Sequence, residues 1–213
     1  MLLEGFFDLT SGDTGCILNN AVYNAIVELS GITTQESFYT GTTLSDYPGD
    51  NLWVNTIKNI LLTHAHIDHS GLLPKLVKQG FTKKIHCTQA TRDLCGIMLP
   101  DSGFIQEMEV RQLNPRRLKR GEKEVEPIYT LQDALASLEN FVGHPYESWV
   151  KVTNDIRARF WNAGHLLGSA SIELEIERKD QKPLRILFSG DIGPDNKMLQ
   201  PLPEAPDHFD IVI

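Results

Sequence analysis

Along this chain the spacing of hydrophobic and polar positions predicts a mixed α/β architecture. Residues 1–62 are strand-rich and punctuated by turn signals at SGD, TGC, SGI and YPGD. Beyond YPGD the apolar run around 60–62 predicts a buried strand, and an apolar-periodic segment predicts a helix over about 71–79. Gly80 is placed to close that helix as its C′ residue. KIHCT predicts a short buried strand, with Thr88 as N-cap for a helix through QATRDLCGIML. Residues 101–150 are polar and charged, and read as a helical excursion between two halves of a sheet. Within them, LQDALASLENF is a helix behind Thr130, whose T-x-x-D spacing resembles a capping box. Strands then resume with IRARFW, SASIELEIE and LRILFSG, the last apolar enough for burial on both faces. HFDIVI predicts a further buried strand, inside which the sequence ends at Ile213.

Composition narrows the class without changing this outline. At 213 residues the chain suits one sizeable core, or a large domain with an insertion. No stretch approaches the roughly 20 apolar residues of a membrane span, and MLLEGFFDLTSGD lacks the basic n-region of a secretory signal. Cys16, Cys87 and Cys95 are odd in number and free of CxxC spacing, which fits buried thiols in a reducing cytoplasm. A net charge of −8 argues against nucleic-acid binding by the whole surface. Against that background Arg111, Arg116, Arg117, Lys119, Arg120 and Lys123 form a local basic patch, which charge alone assigns to a solvated helix face.

Chemistry concentrates in ILLTHAHIDHSGLLPKLV. His64, His66, Asp68 and His69 follow an apolar strand in the order H-x-H-x-D-H, enough donors to serve two adjacent metal ions. Alternation points the first two imidazoles the same way, while Asp68 and His69 lie past the turn. Imidazole and carboxylate donors without thiolates suit Zn²⁺, Mn²⁺ or Fe²⁺ better than a structural cysteine site. Two later segments offer further ligands: His165 between glycines in WNAGHLLGSAS, and Asp191 between glycines in LFSGDIG. A lone His165 would be a core histidine and a lone Asp191 a turn residue or helix cap. The histidine cluster at 64–69 has no comparable explanation without a metal. His86, His144 and His208 lack ligand spacing and read as core histidines.

THAHIDHSG, AGHLLGSA and FSGDIG, in that order, resemble the second, third and fourth motifs of the metallo-β-lactamase fold. HSGLLPKL, GHLLGSA and the phrases IMLPDSGFIQE, NPRRLKRGE and EPIYT are similar to the β-CASP branch of RNA-processing nucleases, over roughly residues 50–213. The resemblance implies an αββα sandwich spanning 1–213 as the N-terminal portion of a metallo-β-lactamase-like domain, incomplete at its C-terminus. It places His64, His66 and His165 on one zinc, Asp68 and His69 on a second, and Asp191 between them. Asp68 and Asp191 are then the carboxylates expected to act in catalysis. The implied reaction is hydrolysis of an RNA phosphodiester by a hydroxide activated by one or two zinc ions, in the cytoplasm. A homodimer or a partner subunit is the implied assembly.

The chain departs from that pattern in three places. The early Asp of the first motif is not cleanly present, and Glu28 in AIVELSG is the expected substitute. Asn162 stands where the branch has Asp; its amide can orient a neighbour but cannot supply the same charge. The acidic motif, the inserted β-CASP domain and the last ligand histidine that follow a strand like FDIVI do not occur before Ile213. One well-held ion at His64, His66 and His165 and a weak or empty second site are therefore expected. Two alternatives stand beside the nuclease: a metallohydrolase of a thioester or lactone, and a catalytically incomplete module that binds RNA or a partner.

Overall fold

The computed structural model describes residues 57–194 and 201–213. Cys16, Glu28 and the strand-rich reading of the first 56 residues lie outside them. Three parallel strands, β1 (Asn59–Leu61), β2 (Lys84–Thr88) and β3 (Phe141–His144), form one sheet in the order β1-β2-β3. A second, five-stranded sheet runs β4 (Val150–Lys151), β5 (Ile156–Asn162), β6 (Ala170–Ile176), β7 (Leu184–Phe188), β8 (Ile211–Val212). Its pairs are antiparallel except β7–β8.

Four α-helices are described, α1 (Ile67–Ser70), α2 (Leu73–Lys78), α3 (Gln89–Lys119) and α4 (Leu131–Ser137), the last followed by a 3-10 turn at Leu138–Asn140. α2 ends as the sequence predicts, with Gly80 in the left-handed region at φ 110°. Thr88 caps α3 by accepting from the Thr91 amide, and Thr130 and Asp133 form a reciprocal capping box on α4.

Alternation within the strands sorts residues into two cores. Ile60, Ile85, Cys87 and Phe141 face the helices, packing with Leu73, Leu76, Cys95, Leu99 and Ala134. Leu61 turns the other way, into a core between the sheets with Phe160, Ile172, Leu174, Ile186 and Phe188. Among the described residues the layers are thus helices, parallel sheet, antiparallel sheet. Burial pushes the Cys95 thiol up to about 12 and the Cys87 thiol well up, leaving both as packing groups.

The inter-sheet core contains a polar chain. Asn59 Nδ2 donates to the Val152 carbonyl at 2.9 Å, Asn59 Oδ1 lies 3.1 Å from His86 Nε2, and His86 Nδ1 lies 2.9 Å from His144 Nε2. The His144 ring stacks on Phe160. These two histidines are buried or half-buried as core residues, whereas His208 is a surface residue with a side chain 74% exposed.

Three elements differ from expectation. α3 passes Pro100 and Pro115 rather than stopping near Leu99. Each proline removes a helical hydrogen bond, but Gly103 lies so close to Thr130 and Leu131 at the start of α4 that a Cβ there would collide with their backbone. Tertiary packing on both sides of Pro100 outweighs local propensity. The helical excursion begins at Gln89 and ends before β3, so it joins two parallel strands of one sheet. HFDIVI contributes only Ile211 and Val212 as strand, and Val212 is 54% exposed because β8 lies at the sheet edge.

Candidate metal centre

The centre forms where three chain segments meet at strand ends. The first leaves β1: the Thr63 carbonyl accepts from the Ala170 amide at 2.9 Å, joining this segment to the start of β6. His64 and His66 then project together, and α1 begins at Ile67 with His66 as its N-cap residue. Asp68 and His69 therefore sit on the first turns of a short helix. Ser70, fully buried, donates to the carbonyls of Ala65 and His66 and pins that turn.

The second segment is the loop after β5. Asn162 Oδ1 accepts from the Gly164 amide at 3.0 Å, and buried Ser169 Oγ accepts from the amides of His165 and Leu166 at 3.0 and 3.1 Å. The loop closes at Gly168, whose φ of 84° and contact with the first turn of α3 leave no room for a side chain. Its carbonyl accepts from the hydroxyls of Thr88 and Thr91 at 2.6 and 2.8 Å. The third segment follows β7 and carries Asp191. Gly193 donates to the Ala163 carbonyl at 2.8 Å, and a Cβ at Gly193 would run into the Gly164 carbonyl. Close approach of two ligand loops is thus what requires glycine there.

These segments bring His64, His66, His165 and Asp191 together, each offering one donor atom within 4.8 Å of the others. His66 Nδ1 lies 3.1 Å from His64 Nε2 and 3.2 Å from His165 Nε2. Nitrogens bound at about 2.0–2.1 Å to a tetrahedral ion lie roughly 3.3–3.4 Å apart. The spacing therefore fits a divalent ion of zinc type. Asp191 divides its carboxylate: Oδ2 lies 3.6 Å from His64 Nε2 and 3.4 Å from His165 Nε2, while Oδ1 lies 3.6 Å from His69 Nε2. His69 Nε2 is also 3.7 Å from Asp68 Oδ2. Asp68 and His69 lie outside the four-residue cluster, with the His69 ring 4.1 Å from that of His64 between centroids.

The His64 side chain is fully buried. Burial, then the neighbouring charges of His69, His66 and His165, pull its pKa down to about 3. It is a neutral imidazole at physiological pH, with its lone pair available. Its Nδ1 lies 3.1 Å from Thr63 Oγ1, and an Nδ1–H donated to that hydroxyl leaves the Nε2 lone pair facing the cluster, where it could hold a metal. Thr63 and Ser169 are the functional residues that sequence reasoning missed. Their only signal is adjacency: Thr63 precedes the first histidine, and Ser169 follows the glycine that ends the second loop.

The profile of the metallo-beta-lactamase superfamily matches residues 54–211. The chain belongs to that superfamily. Among curated relatives, this superfamily member is 30% identical over 154 residues to Ribonuclease TTHA0252 of Thermus thermophilus, covering 72% of this chain and 30% of that protein. It is 34% identical over 155 residues to an RNase J-like protein of Methanocaldococcus jannaschii, with the same two coverages. Over 118 residues it is 36% identical to Transcription termination factor FttA of Thermococcus kodakarensis, covering 55% of this chain and 16% of that one. The chain thus spans about 30% of the length of the first two relatives.

Proposed function

We propose that this superfamily member hydrolyses RNA phosphodiester bonds with zinc and belongs to the β-CASP branch. The observation that carries the reading is the divided carboxylate of Asp191, with one oxygen toward His64 and His165 and the other toward His69. Such an arrangement suits two adjacent ions, with His64, His66 and His165 holding one, Asp68 and His69 holding the second, and Asp191 between them. Bound there, divalent ions supply a nucleophile at neutral pH and neutralise charge developing on phosphoryl oxygens.

The chain's own residues do the rest. Neutral His64, aimed by Thr63, stays a ligand across the physiological range. Asn162 and Ser169 fix the backbone on either side of His165. Among the described residues the side chains of Asp68 and Asp191 are 60% and 43% exposed, which favours access by a polymeric substrate. Both ribonuclease names among the relatives favour RNA over a thioester or lactone.

Incubating the chain with Zn²⁺ or Mn²⁺ and end-labelled single-stranded RNA tests the proposal, with a thioester and a lactone assayed in parallel. RNA cleavage that disappears in His66→Ala supports it. Turnover of the thioester or lactone with intact RNA would overturn it.

A further inference from the structure

The basic patch lies at the far end of a helix that starts on the metal centre. α3 is seated there by the Thr88 and Thr91 hydroxyls on the Gly168 carbonyl, three residues beyond His165. Its 31 residues, at about 1.5 Å each, give it a length of roughly 46 Å. Residues 111–123 hold six cations against a single carboxylate, Glu122, in a chain of net charge −8.

Only one of the six is committed to the fold. Arg117 pairs with Glu122 at 2.9 Å and donates from Nε to the Lys123 carbonyl at 2.7 Å. Asn114 exchanges two 2.9 Å hydrogen bonds with the Val125 backbone, so the segment after α3 is folded back along its last turns. Lys123 is thereby fixed beside the helix end. Arg111, Arg116, Lys119, Arg120 and Lys123 are exposed and form no ion pair among the described residues. Arg116, Lys119 and Arg120 follow the i, i+3, i+4 spacing of one helical face up to the cap at Arg120, and Lys123 follows Gly121, whose φ of 73° turns the chain back toward the helix. Complementing the helix dipole engages cations of the last turn only, and leaves Arg111 and Lys123 without a reason.

We propose that this end of α3 and the returning segment form a docking site for the phosphate backbone of single-stranded RNA, at a distance from the bond that is cut. The RNA part rests on the function proposed above. A polyanion matches five exposed cations clustered in a chain of net charge −8. Most of the length of α3 separates the patch from the His165 loop, so the site holds flanking RNA.

Fluorescence anisotropy of the 213-residue chain with a labelled, unstructured 30-nucleotide RNA, in EDTA and at several salt concentrations, tests this. Neutralising Arg116, Lys119, Arg120 and Lys123 to Gln is expected to weaken binding at least tenfold. The salt slope should fall by about three, since each single-strand phosphate contact contributes about 0.7. The charge-retaining pair Arg116→Lys and Arg120→Lys should keep the slope, and circular dichroism checks that α3 persists in both variants. His66→Ala should remove cleavage in zinc while leaving binding intact, which separates failure of the metal-centre reading from failure of this one. Unchanged affinity in the Gln variant overturns the proposal. Tighter binding of poly-glutamate than of RNA also overturns it, and assigns the patch to an acidic protein.

Discussion

Acid should weaken this fold through the buried polar chain between the sheets. His86 is 4% exposed, and burial, followed by His144 and Lys84, holds its pKa at about 4 against an ordinary 6.5. The hydrogen bonds explain why protonation is resisted. With His86 Nε2–H given to Asn59 Oδ1, Nδ1 must accept from His144 Nε2–H, and an added proton would set N–H against N–H. The folded pKa is depressed, so below 6.5 the unfolded chain binds the proton and the folded chain does not. Stability is fully present above pH 6.5 and is lost as pH falls toward 4. At about 1.4 kcal/mol per unit, the loss from this histidine is about 2 kcal/mol at pH 5 and about 3 kcal/mol at pH 4. Urea denaturation of metal-free protein from pH 8 to 4, compared with His86→Gln, isolates the contribution. The expected result is a shallower pH dependence in the variant, whatever its absolute stability. Parallel curves would refute the reasoning.

Further outcomes follow from the centre and its supports. Thr63→Val should lower zinc affinity about 10- to 100-fold by releasing the His64 tautomer, while Thr63→Ser restores it; competition with a chromophoric chelator measures both. Asp191→Asn should leave a first ion bound and reduce RNA cleavage at least 100-fold, read by gel assay with metal analysis on the same samples. Thr88→Ala removes the α3 cap and a hydroxyl bond to Gly168, costing about 1–2 kcal/mol in chemical denaturation. If that variant is as stable as the parent, the seating of α3 on the His165 loop contributes nothing.

Much of this was legible because the determining interactions are local. The T-x-x-D spacing at Thr130, the C′ glycine at Gly80 and the alternation in SASIELEIE each act within a few residues, and the elements follow them. Alternation also places Ile172 and Leu174 inward, but on the other face Glu173 and Glu175 are buried rather than solvated. Glu173 Oε2 accepts from Arg159 and Trp161, partners from the neighbouring strand that periodicity cannot reveal, while buried Oε1 has only the Arg185 guanidinium at 3.9 Å. β3 went unseen because FVGH is short and carries a glycine, and its pairing with β2 crosses more than fifty residues. α3 was cut short for the same reason: what carries it past Pro100 is contact with α4. At the candidate centre, His64, His66, His165 and Asp191, which the motifs single out, come together in the fold. The sharing of Asp191 between two histidine groups is a distance between segments and needed the fold.

Metal stoichiometry tests the central claim most directly. Purified chain, stripped with EDTA and dialysed against Zn²⁺, should retain one tightly held ion at His64, His66 and His165, with a second binding weakly beside Asp68 and His69. His66→Ala should lose the tight ion while keeping the parent's far-ultraviolet circular dichroism. An unchanged zinc content in that variant would contradict the assignment of the centre.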